Sequence, residues 1–309
     1  MAMRSCLVKI LALALVAALW LPQVASAQLT DADLKRMQAD KRVALVIGNG
    51  NYRNFQRLDN PVNDATGVAA ALRAAGFQVI LRLDATHEDM SQALDQFDQA
   101  LSNADIGLFY FAGHAAQVDW RNFMVPISAT LDVNQTAANN LVGEVAQETL
   151  DLGEVLARMG RADKKLNIVI LDACRDNPFT EKALALSRSL ARSTGSTPIK
   201  VGVGLVQTPA PPRTFIAYAT APGQVASDGS GKDSPYSAAL IQVLAVPGLK
   251  LEDVFKRVRT SVAEATHAAQ IPWDNSSVFD DFYFRIPAAA DTVPAPPKKG
   301  DINTTFVSP

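Results

Sequence analysis

Cysteine is nearly absent from this chain: 309 residues hold two, Cys6 and Cys174. Histidine is scarce too, with His87, His114 and His267. So few thiols exclude a disulfide scaffold, and no metal site or cofactor is assigned. An excess of charge of one sign is also missing. Lys and Arg number 29 against 31 Asp and Glu, for a net charge of −2 and a pI near 5.9. That balance gives no reason to expect a nucleic-acid or anionic-membrane surface. No internal repeat is visible. Two glycine-bearing stretches fall short of phosphate loops: "GNGNYRNF" lacks the third glycine and the immediate helix, and "DGSGKDS" has Asp233 where Ser or Thr is required.

A strongly apolar opening stretch stands apart from the rest of the chain. "ILALALVAALWL" spans residues 10–21, follows Arg4 and Lys9, and leads to Ala25, Ser26 and Ala27. Basic start, short apolar stretch and small-residue site make up a secretory signal peptide over residues 1–27. The stretch is short for a span of about 20 residues. The expected location is therefore periplasmic or secreted, with no membrane contact after cleavage. Cleavage would remove Cys6 and leave Cys174 as the sole thiol. A free thiol in an exported chain is either a small buried hydrophobe or a reactive group.

The body of the chain alternates strand and helix. "RVALVIG", "FQVILRL", "IGLFYFAG", "LNIVILDA" and "TFIAYAT" read as strands, the most buried of them continuous apolar runs. Between and after them lie helical patterns, one opening with Asn60 at a capping position and Pro61 in the first turn. This alternation predicts a mostly parallel sheet with helices on both faces. A short polar helix is expected within residues 28–40 and a last edge strand at "DDFYFRI". Residues 180–212 read as a mobile loop holding Arg188 and Arg192, and residues 287–309 as a disordered, proline-rich tail.

In an open parallel sheet, ligands bind beyond the carboxyl ends of the strands. His114 follows "LFYFAG" and Cys174 follows "VILDA", so two reactive side chains stand at two strand ends. A thiolate is a nucleophile, and an imidazole beside it can generate it and later protonate a leaving amine. His87 starts a helix and His267 ends one, and neither stands at a strand end.

At this point the residues resemble a family. "ALVIGNGNY", "NPVNDA", "YFAGH", "LDACRDNPF" and "AYATAPG…SDG…SPYS", in that order, are similar to the caspase-like cysteine peptidases, closest to bacterial metacaspase-like members. His114 stands about 60 residues before Cys174, near the caspase spacing of ~50. The resemblance spans residues 41–286 and implies a three-layer α/β/α sandwich. Its sheet would have six mostly parallel strands and one antiparallel edge strand. A large segment would cover residues 41–179 and a small one residues 213–286.

The resemblance further implies an endopeptidase with Cys174 as nucleophile and His114 as base. Backbone N–H groups of Ala115 and Cys174 would form the oxyanion hole. Ala115 stands where the family usually has glycine, and alanine tolerates a positive φ poorly. Trp120 stands where a small residue is usual, which would crowd the cleft. Asp64, Asp172 and Asp228 would line the pocket for the side chain before the cut, favouring Arg or Lys. The rival reading is a catalytically weak caspase-like module that binds peptides or proteins. The expected partner is a peptide or protein, and the chain would be a monomer or a dimer joined through its last strand. Acid-rich loops would permit calcium activation.

Overall fold

The structure is a computed structural model that describes residues 30–130, 141–161, 166–173, 200–202 and 204–287, with Leu184, Arg188 and Arg192 between. Lys35–Ala288 make one compact unit; the chain ends, Met1–Leu34 with Ala289–Pro309, make another. The first carries every element that follows, save the opening residues of the first helix.

After α1 (Asp31–Ala39), the core is built from β1 (Arg42–Gly48), α2 (Pro61–Ala74), β2 (Phe77–Leu83), α3 (His87–Leu101) and β3 (Ile106–Gly113). The chain then makes β4 (Ala115–Val118), β5 (Arg121–Met124), α4 (Leu141–Glu148), β6 (Leu150–Asp151), α5 (Leu152–Gly160) and β7 (Leu166–Ala173). It ends with β8 (Val201–Gly202), β9 (Thr214–Tyr218), α6 (Pro235–Leu244), α7 (Leu251–Ala265) and β10 (Trp273–Ser276).

The main sheet has six strands in the order β10-β9-β7-β3-β1-β2, all parallel except β10. Every residue of β1, β3 and β7 is buried, which is why these strands are mostly apolar runs, with Arg42, Asn167 and Asp172 the buried polar exceptions. The chain steps outward from β1 to β2, then back across to β3. Right-handed crossovers therefore put α2 and α3 on opposite faces. Helices α6 and α7 pack on the α2 side, and α5 packs with α3. The result is the three-layer sandwich expected. Helix α3 starts with a capping box between Thr86 and Asp89. The Asn60 side chain caps nothing at α2; it donates to the Asp228 carbonyl instead.

One expectation needs correction. The last edge strand is "WDNS", not "DDFYFRI". Phe282, Tyr283 and Phe284 are consecutive and all buried, which an alternating edge strand cannot achieve. They close the amino end of the sheet, where the Arg42 guanidinium donates to the Phe284 and Ala75 carbonyls and lies over the Phe282 ring. Of the loop expected over 180–212, residues 180–199 lie outside the described residues except for three. Leu184, Arg188 and Arg192 have helical backbone, and further on Val201 and Gly202 pair with β4. Asn122 donates to the Val206 carbonyl at 2.7 Å and accepts the Val206 N–H at 2.9 Å.

That stretch belongs to a second sheet that the sequence did not announce. Its order is β6-β5-β4-β8, all antiparallel. It covers a small core of Tyr52, Ala116, Val118, Phe123, Val125, Ile127, Ala129 and Val145. Strand β4 begins where β3 ends, so this small sheet abuts the carboxyl edge of the large one.

Candidate active site

Gly113 at the end of β3 pairs with Ala173 at the end of β7. The next residues of the chain are His114 and Cys174. Cys174 lies outside the described residues, both as nucleophile and as oxyanion donor. His114 therefore fixes the description of this corner.

The His114 ring is buried, and its Nε2 stands 2.8 Å from the Gln56 carbonyl oxygen. A ring nitrogen facing a carbonyl must carry the proton, so Nδ1 is the basic nitrogen of the neutral ring. The His114 backbone N–H donates to the Tyr52 hydroxyl at 2.7 Å, and the Tyr52 ring lies 4.5 Å from the imidazole, centroid to centroid. Tyr52 and Gln56 sit on the loop between β1 and α2. Asp84 anchors that loop, accepting the N–H groups of Gly50 and Asn51, both at 2.9 Å. Burial would raise the Asp84 carboxyl, but these N–H groups, the Asn51 amide and the nearby Arg57 charge outweigh it and lower its pKa.

The Val125 N–H donates to the His114 carbonyl at 3.0 Å. Antiparallel pairing alternates, so the N–H of Ala115 turns away from β5. Ala115 has no positive φ. The expected conformational penalty for lacking glycine there does not arise. The positive φ falls two residues earlier, at Gly113, with φ +148. Trp120 sits at the tip of the β4–β5 hairpin, at the far end of β4 from His114, where it is 61% exposed. Lys200 lies over its ring.

A second corner is acidic. Asp172, on β7, and Asp64, in the first turn of α2, are both buried. Ser234, the N-cap of α6, joins them: its backbone N–H donates to Asp64 at 2.8 Å and its hydroxyl to Asp172 at 2.5 Å. The Ser237 hydroxyl donates to the same Asp172 oxygen at 2.7 Å, which leaves it to accept from the Tyr110 phenol at 2.6 Å. Both carboxylates thus lie at the positive end of α6. Burial first, and then the charges of Asp172 and Asp64, hold the Tyr110 phenol well above its ordinary pKa. Burial and Asp172 do the same for Tyr236. Asp228 is engaged differently: it is half-buried, and its carboxylate accepts the Asp59 N–H at 3.1 Å, just before α2.

A family model for the caspase domain matches residues 41–283. The chain belongs to this family of cysteine peptidases. The mucosa-associated lymphoid tissue lymphoma translocation protein 1 of Homo sapiens is 34% identical over 137 residues, 44% of this chain and 15% of the human protein. Its Mus musculus homolog is 33% identical over the same length and shares. The chain therefore spans well under two thirds of these relatives.

Within this caspase domain, the sequence pointed to His114, Ala115, Asp64, Asp172 and Asp228. It missed Tyr52, Gln56, Asp84, Ser234 and Ser237. Tyr52 stands in "GNGNYRNF" and Gln56 directly after it, a stretch that draws attention as a failed phosphate loop and as part of the motif "ALVIGNGNY", with neither reading giving these two residues a role. Gln56 acts through its carbonyl, so its side chain leaves no signal. Ser234 and Ser237 bound "SPYS", which reads as a helix start and as part of the resemblance, but neither reading shows the carboxylates they hold. Among the described residues, no helix is long and apolar enough to cross a membrane.

Proposed function

We propose that this protein is an exported cysteine endopeptidase that cuts after arginine or lysine. The reading is carried by one observation. The Gln56 carbonyl holds Nε2 of His114, so Nδ1 is the base, at the strand end whose neighbour leads into Cys174. In the mechanism, His114 Nδ1 takes the proton of the Cys174 thiol. The thiolate attacks the scissile carbonyl, and the negative oxygen is received by the N–H groups of Ala115 and Cys174. The tetrahedral species collapses, the carbon–nitrogen bond breaks, and the imidazolium returns its proton to the leaving amine. Water, deprotonated by the same nitrogen, then hydrolyses the thioester and releases the acid.

The acidic corner supports the choice of side chain. A substrate cation that leaves water needs an opposite charge, and a guanidinium can meet two carboxylates with paired hydrogen bonds. Asp64 and Asp172 would supply them, with Asp228 at the rim. A peptide probe ending in arginine and carrying a thiol-reactive ketone tests the reading. It should add its mass once to the wild-type protein and not to Cys174→Ala. Absence of labelling, or equal labelling of the variant, would leave a peptide-binding module as the better description.

A further inference from the structure

Where β4 and β5 start to pair, His114 and Val125 face each other as a hydrogen-bonded pair should. Such a pair exchanges two bonds, each N–H to the other's carbonyl. Only one is made, from the Val125 N–H to the His114 carbonyl. In place of the second stands the Tyr52 hydroxyl, which accepts the His114 N–H at 2.7 Å and donates to the Val125 carbonyl at 3.2 Å. A side chain from the β1–α2 loop thus keeps this end of the ladder open by the width of one oxygen.

We infer that the Tyr52 hydroxyl is a positioning group for His114, setting where the imidazole sits relative to the Gln56 carbonyl. This rests on the proposed peptidase activity and names the residue that orients its base. Three features separate it from simple core filling. Tyr52 is 2% exposed, and its ring packs in the small core as phenylalanine would; the hydroxyl adds nothing to that packing. The hydroxyl is bonded on both sides to backbone groups of the hairpin that carries His114. And the neighbouring position is free of a side chain: a Cβ on Gly113 would come within 2.5 Å of the Tyr52 oxygen and 3.0 Å of the Asn49 carbonyl. The same loop carries both Tyr52 and Gln56. One rigid piece, anchored by Asp84, therefore holds the imidazole by its backbone, its face and its Nε2.

Without the hydroxyl, the His114 N–H must pair directly with the Val125 carbonyl, which keeps the Asn49 amide as a donor at 3.1 Å, or stay buried without a partner. Direct pairing draws His114 toward β5 and away from the Gln56 carbonyl. Small misplacements of a catalytic group are costly in rate. Tyr52→Phe should fold, lower kcat about tenfold and leave KM within about twofold. A filling role would lower stability alone. The independent readout is nitrogen-15 NMR of the imidazole, assigned by the losses in His87→Gln and His267→Gln spectra. Wild-type His114 should show the single tautomer protonated at Nε2, and Tyr52→Phe a mixture. The NMR arm keeps the two proposals apart: a wild-type protein without hydrolysis would sink the peptidase reading while the tautomer still decides on Tyr52. A folded Tyr52→Phe with wild-type kcat and an unchanged tautomer overturns the inference. If Tyr52→Phe does not fold, Asp84→Asn loosens the same loop from its far anchor and should lower kcat about threefold at constant KM. An unchanged kcat there overturns it equally.

Discussion

The two corners of the site are held by different parts of the molecule. His114 is held largely by backbone: a carbonyl of Gln56, and an N–H and a carbonyl bridged by Tyr52. Asp64 and Asp172 are held by hydroxyls and a helix N-terminus, with Ser234, Ser237 and Tyr110 in a chain. A backbone carbonyl is present whatever residue supplies it; a hydroxyl is present only if the residue is right. The basic corner should therefore govern rate and tolerate substitution wherever the contact is a backbone group, as at Gln56, with the Tyr52 hydroxyl the exception. The acidic corner should govern selectivity and be sensitive to each side chain.

The largest effects belong to the reacting groups. Cys174→Ala should remove hydrolysis, and His114→Ala should lower kcat by about 10²–10⁴. Assays with an arginine peptide check both; wild-type turnover in either would dissolve the dyad. Next comes Asp172→Asn. It should lower kcat/KM about a hundredfold for an arginine peptide and far less for a leucine peptide, since a desolvated cation loses its partner. Equal losses for both peptides would make Asp172 a structural residue and erase the contrast between the corners.

A smaller effect concerns stability in alkali. Tyr110 and Tyr236 have pKa values raised by burial and by the buried carboxylates. Below about pH 10, folded and unfolded phenols are both protonated and the contribution is intact. As the pH rises further, the unfolded chain releases protons that the folded one keeps, and stability falls. Urea melts between pH 8 and 11 should show this fall, and Tyr110→Phe should make it shallower. The smallest effect is at Gln56. Gln56→Ala should keep kcat within about twofold, because the contact to His114 is a carbonyl. A large loss would mean that the amide side chain takes part, and the basic corner would no longer be a backbone device. His87→Ala and His267→Ala should be equally quiet.

The same contrast explains what could be read from the sequence. Strands β1, β2, β3 and β7 have the bounds their largely apolar runs predict; β1, β3 and β7 are buried on both faces, which demands mostly apolar residues, while β2 stands at the edge and is only partly buried. The small sheet stayed hidden because its strands are two to four residues long and most of its partners come from distant segments. Strand β10 is polar and "DDFYFRI" is aromatic, so propensity pointed to the wrong one of the two. In the site, ionisable side chains at strand ends were legible and the groups that hold them were not. Tyr52 bonds to a residue 62 positions away, and Ser234 to carboxylates 62 and 170 positions away. Such pairings exist only once the sheet order is known.

The central claim is a cysteine peptidase whose acidic corner selects a basic side chain. The most direct measurement is kcat/KM for four matched peptides that differ only in the residue before the cut: arginine, lysine, aspartate and leucine. The account predicts arginine first, lysine second, and aspartate and leucine far behind, with no turnover of any by Cys174→Ala. A preference for aspartate or leucine would contradict it, even with Cys174 and His114 intact as the reacting pair.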